Sequence, residues 1–92
     1  MQILKRQESI EHKNSEHCVA REYPIGDDYL NGALVTINGH YPESGNALNE
    51  HCQELAYIMA DSGTITSGSM SIKLTEGDMV LISAGEQYYW EG

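Results

Sequence analysis

The sequence predicts an all-β domain, a sandwich or barrel of the jelly-roll kind. Short apolar segments recur along the chain, and turn residues separate them roughly every eight to twelve positions, which is the spacing of such folds. The clearest segment covers residues 33–41, which are rich in β-branched side chains and end at Pro42. No stretch has the periodicity of an amphipathic helix. The 92 residues suit one domain, and we assign it residues 1–92.

The remaining elements follow from local residue types. Residues 1–16 are polar and charged, and we expect an arm, an edge strand or a frayed helix ahead of a barrel core at residues 33–92. An alternating segment at 17–23 leads into a turn at 24–28, which contains proline, glycine and two aspartates. Later strands are expected at 52–60, 64–66, 70–74, 79–82 and 87–90. Turns are expected at 42–46, 61–63, 67–68, 76–78 and 84–85, with a hairpin at 61–63.

Composition and charge exclude several classes of partner. The chain has 14 acidic and 5 basic residues and a formal charge of −9, so it would repel nucleic acid and anionic membrane surfaces. No stretch approaches the roughly 20 apolar residues that span a bilayer. Met1–Arg6 lacks a secretory pattern, so we expect a cytoplasmic protein. In that compartment Cys18 and Cys52 are expected to be free thiols packed among apolar neighbours.

The second half of the chain resembles the cupin family, beginning with the first cupin motif. Glu54 precedes an apolar strand and a tight turn that contains Gly63, as at the end of that motif. Asp61 stands where the motif usually has its first glycine. This part of the resemblance implies that Glu54 faces the interior of a barrel.

The second cupin motif is matched by the spacing of residues 77–88, with Ser83 and Tyr88 at its usual proline and histidine positions. The resemblance covers about residues 35–90 and implies a cupin-type double-stranded β-helix, a jelly-roll barrel around a pocket. Cupin barrels usually continue with further strands, whereas this sequence ends at Gly92. We therefore expect a barrel incomplete at its C-terminus: a truncated chain, an open half-barrel completed by a partner subunit, or a swapped strand, with a homodimer as the expected state.

The resemblance also implies a candidate site. Metal cupins use histidines and a glutamate, and here Glu54 and Tyr88 occupy two of the corresponding positions. Counting along the motif puts the other two at Ala47 and Asn49 or at Leu48 and Glu50. His51 is close by in sequence, and with Glu54, Asn49 and Tyr88 it could hold a divalent metal in a weaker oxygen–nitrogen site. The alternative is that Glu54 and Tyr88 hydrogen-bond each other or a water.

Aromatic residues near the end of the chain offer a different site. Alternation along a strand puts Tyr88 and Trp90 on one face and Tyr89 on the other. Polar aromatic side chains around a pocket suit a sugar or another small polar molecule, although Trp90 would equally serve as barrel core. His40 ends a predicted strand, where it would be a general acid or base at a barrel mouth or an edge histidine without a task.

Three functions remain open. The first is binding of a small polar organic molecule, sugar-like or similar, at Asn49, Glu54, Tyr88 and Trp90, without a tightly held metal. The second is a metal-dependent enzyme of the isomerase or oxygenase type, with His51 and Glu54 among its ligands. The third is a structural dimerisation module. Fold alone does not select among them, because one barrel architecture hosts many chemistries.

Overall fold

The computed structural model describes residues 1–27 and 30–92, and these residues form an all-β fold, as predicted. The strands of this described part all pair antiparallel, in three sheets, and within it no sheet closes into a barrel. The strands are β1 (Ile10–Ser15), β2 (Cys18–Asp27), β3 (Leu30–Ile37), β4 (His40–Tyr41), β5 (Ala47–Leu48), β6 (Glu54–Tyr57), β7 (Ser62–Ser67), β8 (Met70–Thr75), β9 (Met79–Ile82) and β10 (Gln87–Glu91). A 3-10 turn at Arg6–Glu8 is the only helical element in the described part of the chain, and none of its helices could cross a membrane.

The N-terminal strands β1, β2 and β3 form a sheet of their own in that order. Within residues 1–16 the chain forms β1, which is an edge strand of this sheet. The turn predicted at 24–28 is wrong for residues 24–27, because β2 continues through Pro24 and Gly26 to its end. The pairing of β2 with β3 is irregular between Tyr23 and Asp27, and Pro24 and Gly26 lie within this irregular part of the strand. Asp28 lies outside the described residues.

The single strand predicted at residues 33–41 is wrong, because the structure has two strands there. β3 ends at Ile37, and β4 begins at His40 in a different sheet. Gly39 separates them with a φ of +120°, a conformation that side chains other than glycine rarely adopt. A Cβ at this position would also lie 2.9 Å from the ring of His17. The glycine thus lets the chain leave the N-terminal sheet within two residues.

The largest sheet has the strand order β4-β10-β7-β8, and β5 pairs with the same strand β10. One row of paired residues crosses this sheet from Tyr41 through Trp90 and Ile65 to Ile72. This face points toward the hydrophobic core. The turns predicted at 76–78 and 84–85 are confirmed, whereas the turn predicted at 67–68 lies one residue later, at 68–69, because Ser67 ends β7.

β6 and β9 form a two-stranded ribbon, and in the described part of the chain they pair only with each other. The predicted strand 52–60 is shortened to Glu54–Tyr57, although its alternation is confirmed. The hairpin predicted at 61–63 is wrong. β7 pairs with β8 and β10 rather than with β6, so this segment carries the chain from one sheet to another. Asp61 has a φ of +63° at this corner.

The hydrophobic core lies between the β6–β9 ribbon and the largest sheet. Its buried members are Ile65, Leu74, Ile82 and Tyr88, against which Ala47, Ile58, Val80 and Trp90 pack. The buried apolar residues of the N-terminal sheet are Cys18 and Ala20, both of them small. The packed position expected for Cys18 is therefore confirmed, whereas Cys52 is exposed and its expected packing is wrong.

Candidate functional site

Three of the four residues predicted to bind a small molecule lie together and form a chain of hydrogen bonds. Asn49 Nδ2 donates to the hydroxyl oxygen of Tyr88 over 3.4 Å. The Tyr88 hydroxyl in turn donates to Oε2 of Glu54, also over 3.4 Å. The direct contact between Glu54 and Tyr88 is the one that the sequence offered as an alternative to a metal site. We call Asn49, Glu54 and Tyr88 the polar cluster.

Local pairing explains why these residues meet. Tyr88 lies on β10 opposite Ala47 of β5, so Asn49 follows two residues beyond that pair. The backbone carbonyl of Asn49 accepts a 2.7 Å hydrogen bond from the amide of Gly85, which holds the end of β5 beside the turn before β10. Glu54 begins β6 and pairs with Ile82 of β9, on the face of the ribbon that points toward the core.

Burial and the neighbouring carboxylate keep two phenols of this region protonated. Burial, then the charge of Glu54, raises the pKa of Tyr88 to about 12, and the hydrogen bond from Asn49 only partly offsets this. The pKa of Tyr41 is also raised, first by burial and then by Cys18 and Glu54. Sequence reasoning gave Tyr41 no role in the site. At neutral pH both hydroxyl groups therefore keep their protons and are not general bases.

The fourth predicted binding residue, Trp90, lies on the same face of β10 as Tyr88. It pairs with Tyr41 on one side and with Ile65 on the other. Trp90 is half-buried and packs against the hydrophobic core. This packing matches the alternative in which Trp90 serves as core, and it still leaves part of the side chain accessible.

The structure places the side chain of His51 at the surface. Its side chain is 95% exposed, and its Nε2 lies 3.9 Å from the carboxylate of Glu50. Residues 1–27 and 30–92 contain no group of three or more histidine, cysteine, aspartate or glutamate side chains placed to hold a metal ion. The ligand pair His51 and Glu54 therefore stays a prediction from the sequence.

His40 lies on the opposite face of the large sheet from the polar cluster. Its ring stacks on Tyr89, with the ring centroids 4.6 Å apart and the planes inclined by 23°. Its Nδ1 is hydrogen-bonded to the carbonyl oxygen of Pro42, so Nδ1 is the donor. Because Tyr89 alternates with Tyr88 along β10, His40 cannot reach the polar cluster without a rearrangement of the strand.

A cleft of about 170 Å³ lies next to the polar cluster. It is lined by Ile65, Ser67, Met70, Ile72, Val80, Leu81, Ile82, Glu86 and Tyr88. Of the four residues predicted to bind a ligand, only Tyr88 is part of this lining. Its hydroxyl group reaches Asn49 and Glu54. Tyr88 therefore connects the cleft to the polar cluster.

Sequence reasoning missed the polar end of the cleft. Ser67 donates to Oε2 of Glu86 over 3.1 Å, and Oε1 of Glu86 accepts from the backbone amide of Ser83 over 3.1 Å. The second contact spans three residues around the turn at 84–85. A serine followed three residues later by a glutamate at a turn often forms a hydrogen bond between the glutamate side chain and the serine backbone. This pattern could have indicated the second contact from the sequence.

No protein-family model matches the chain, and no curated protein or solved structure matches it significantly. The likeness to cupins therefore remains a resemblance in sequence motifs. What the polar cluster and the cleft can bind is inferred from their geometry and charge.

Proposed function

We propose that this chain is a jelly-roll domain of the cupin type that binds a small polar organic molecule without a tightly held metal. The molecule is sugar-like in presenting hydroxyl groups, and it contacts Asn49, Glu54 and Tyr88, with Trp90 at the side. The observation that carries the proposal is the hydrogen-bonded polar cluster beside the cleft. Polar groups that converge at the edge of an apolar cleft are the usual form of a small-molecule site.

The order in which the strands pair supports the jelly-roll part of the proposal. β7 pairs with β8, β6 with β9 and β5 with β10, so each pair encloses the previous one. A chain that folds back on itself in this nested way is the basis of jelly-roll architectures. The meeting of Glu54 with Tyr88 adds support, because the two cupin motifs place their metal ligands at these positions.

Hydrogen-bond geometry supports a ligand that carries hydroxyl groups. The contact between Tyr88 and Glu54 spans 3.4 Å, whereas hydroxyl-to-oxygen bonds are usually about 2.5–3.0 Å long. A ligand hydroxyl could therefore form shorter bonds to the same carboxylate than Tyr88 does. Asn49 and Tyr88 supply donors beside it, so the polar cluster offers both kinds of partner that a hydroxyl group needs.

The charge and the size of the cleft restrict the class of ligand further. None of the described residues that line the cleft is basic, Glu86 lines it with a carboxylate, and the carboxylate of Glu54 is hydrogen-bonded to the lining residue Tyr88. Together with the formal charge of −9, this disfavours anionic ligands. A cleft of about 170 Å³ is smaller than the roughly 300–1,000 Å³ of pockets for drug-sized molecules. Neutral molecules of the size of a small polyol or monosaccharide suit it best.

The test combines native mass spectrometry with a ligand titration. Untagged protein is weighed under native and denaturing conditions, and ¹⁵N-labelled protein is then titrated with glycerol, xylose and glucose, and with glucuronate as an anionic comparison. We expect the side-chain signals of Asn49 and Trp90 to shift with a neutral probe and not with glucuronate. Glu54→Gln should weaken the binding about tenfold or more, because a hydrogen bond to a charged group contributes about 1.5–3 kcal/mol.

Glu50→Gln is the matched control, since it makes the same chemical change at an exposed carboxylate outside the polar cluster. It should leave the titration unchanged. A native mass excess that matches a divalent metal and disappears in Glu54→Gln would overturn the metal-free proposal in favour of the enzyme. If no neutral probe shifts the signals of Asn49 or Trp90, the proposed ligand class is wrong.

A further inference from the structure

The β6–β9 ribbon carries large apolar side chains on the face that points away from the core. Leu55 pairs with Leu81, and Tyr57 pairs with Met79. All four of these side chains are 55–66% exposed, and Met59, two residues past the end of β6, is 62% exposed. We call these five residues the outer face of the ribbon. This face is separate from the polar cluster, although Leu81 also lines the cleft, and a role for it goes beyond the proposed function.

The neighbouring strand β8 shows what a solvent-facing side looks like in this chain. Its residues that alternate away from the core are Ser71, Lys73 and Thr75, all polar and exposed. Antiparallel sheets with one face in water normally show this alternation of apolar and polar residues. The outer face of the ribbon breaks the pattern at each of its two cross-strand pairs. A face built for water would not carry four large apolar side chains in register.

The outer face is large enough to supply much of one side of an interface. A fully exposed large side chain presents roughly 150–200 Å², so the five residues at their observed exposure present roughly 500 Å². This area lies within the roughly 300–600 Å² of the largest apolar patch on a typical monomer, and patches of that size are often functional. A standard interface buries about 800 Å² on each partner, so these side chains alone supply well over half of one side.

We propose that the outer face of the β6–β9 ribbon packs against the same face of a second copy of this chain. A two-fold axis parallel to the strands, midway between two facing ribbons, places β6 of one copy over β9 of the other. Each Tyr57 then lies over Met79 of the second copy, and each Leu55 over Leu81. Leucine packs on leucine, and the methionine sulfur meets an aromatic ring, a favourable contact. The face is therefore self-complementary, as a two-fold interface requires.

Charge supports a second copy on this face rather than elsewhere on the surface. The positions that alternate outward along residues 53–59 and 77–83 include no charged residue. The chain as a whole carries a formal charge of −9, so two copies that met through a charged surface would repel each other. The outer face is a surface on which two such acidic chains can approach without placing like charges opposite each other.

Sedimentation equilibrium on the untagged chain across a concentration series tests the proposal. We expect a species of about 20.4 kDa, twice the 10.2 kDa of one chain, that dissociates on dilution. Tyr57→Lys should shift the dissociation midpoint at least tenfold toward higher concentration, because it places a charge in the apolar contact. Thr75→Lys adds the same charge on the exposed side of β8 and should leave the midpoint within about twofold.

A second measurement needs no substitution. The chain has four methionines, so ¹³C-methyl labelling gives four signals. We expect the signals of Met79 and Met59 to move with protein concentration. Met70 is 62% exposed but lies on β8, and it should stay fixed together with Met1. The proposal is overturned by a 10.2 kDa species at every concentration, by a dimer that survives Tyr57→Lys, or by movement of Met70 in place of Met79.

Discussion

Two pairs of strands, β6–β9 and β7–β8, contribute to one hydrophobic core but are held in the molecule in different ways. β7 pairs on its other side with β10, so backbone hydrogen bonds join the β7–β8 pair to the largest sheet. β6 and β9 pair only with each other in the described part of the chain. The ribbon is therefore attached to the rest of the fold by side chains, chiefly Ile82, which is buried in the core, and Glu54, which is bonded to Tyr88.

The outward faces of the two pairs differ as well. β8 presents Ser71, Lys73 and Thr75 to solvent, whereas the ribbon presents Leu55 and Tyr57 together with their apolar partners on β9. Strand alternation therefore determines which residues share a face of the strand, but it does not determine what covers that face. In β8 the outward face meets water. In the ribbon the outward face has the composition of an interface, and the inward face carries the attachment to the core.

The largest expected effect is the loss of the ribbon's attachment to the core. Ile82 is 2% exposed and packs among Ile65, Leu74 and Tyr88. Ile82→Ala should lower the free energy of unfolding by about 2–5 kcal/mol, because it removes buried methylene groups and leaves a cavity. Urea unfolding followed by tryptophan fluorescence measures this, at a protein concentration low enough to keep the chain monomeric.

The matched control is the neighbouring Leu81→Ala. Leu81 is 55% exposed on the outer face, so in the monomer its truncation should cost less than about 1 kcal/mol. Equal losses in the free energy of unfolding for the two variants would contradict the difference in burial between the two faces of the ribbon.

A smaller effect is expected from deprotonation of Tyr88, which joins the large sheet to the ribbon. Its pKa is raised from 10.0 to about 12 in the folded chain, so the neutral phenol is favoured by folding. This contribution is fully present below pH 10 and is lost as the pH rises from 10 toward 12. The loss amounts to at most about 3 kcal/mol, since one pKa unit corresponds to about 1.4 kcal/mol.

Tyr88→Phe tests this by removing the titrating hydroxyl group. The variant should lose less stability than the wild type between pH 9 and pH 11, when urea midpoints are compared at each pH. Tyr89→Phe, on the opposite face of β10, should follow the wild type. Amide exchange should show that the ribbon opens first at high pH, since a phenolate next to the Glu54 carboxylate is repelled by it. Parallel curves for Tyr88→Phe and the wild type would contradict the assigned role of Tyr88.

Local pattern predicted much of what distinguishes the two strand pairs. The bounds of β9 match the predicted strand 79–82 because glycine turns at 77 and 85 flank an apolar run. The inward position of Glu54 was implied by the cupin resemblance, and alternation along the strand put Ala56 and Ile58 on the same face. Its approach to Tyr88 was one of two alternatives that the cupin resemblance left open, and the structure brings the two residues together.

Pairing between distant strands accounts for most of what the sequence did not predict. Residues 61–63 look like a hairpin turn because β6 and β7 are adjacent in sequence, but each strand finds its partner further along the chain. The break at Gly39 was hidden inside a segment rich in β-branched residues, and the contact with His17 that requires a glycine is 22 residues away in sequence. The polar end of the cleft depends on Ser67 and Glu86, which no local pattern connects.

The smallest effect concerns the polar outward side of the β7–β8 pair. Thr66 is 8% exposed, and its hydroxyl oxygen lies 3.0 Å from that of Ser71 in a hydrogen bond between the two strands. Thr66→Val keeps the shape and removes this bond, so the free energy of unfolding should fall by about 0.5–1.5 kcal/mol in the urea experiment. Thr64→Val, on the same face, makes the same change where no side-chain bond joins the pair, and it should be nearly neutral. If Thr66→Val instead stabilised the chain, the hydrogen bond between Thr66 and Ser71 would not contribute to stability. The polar residues on the outward face of β8 would then be explained by their contact with solvent alone.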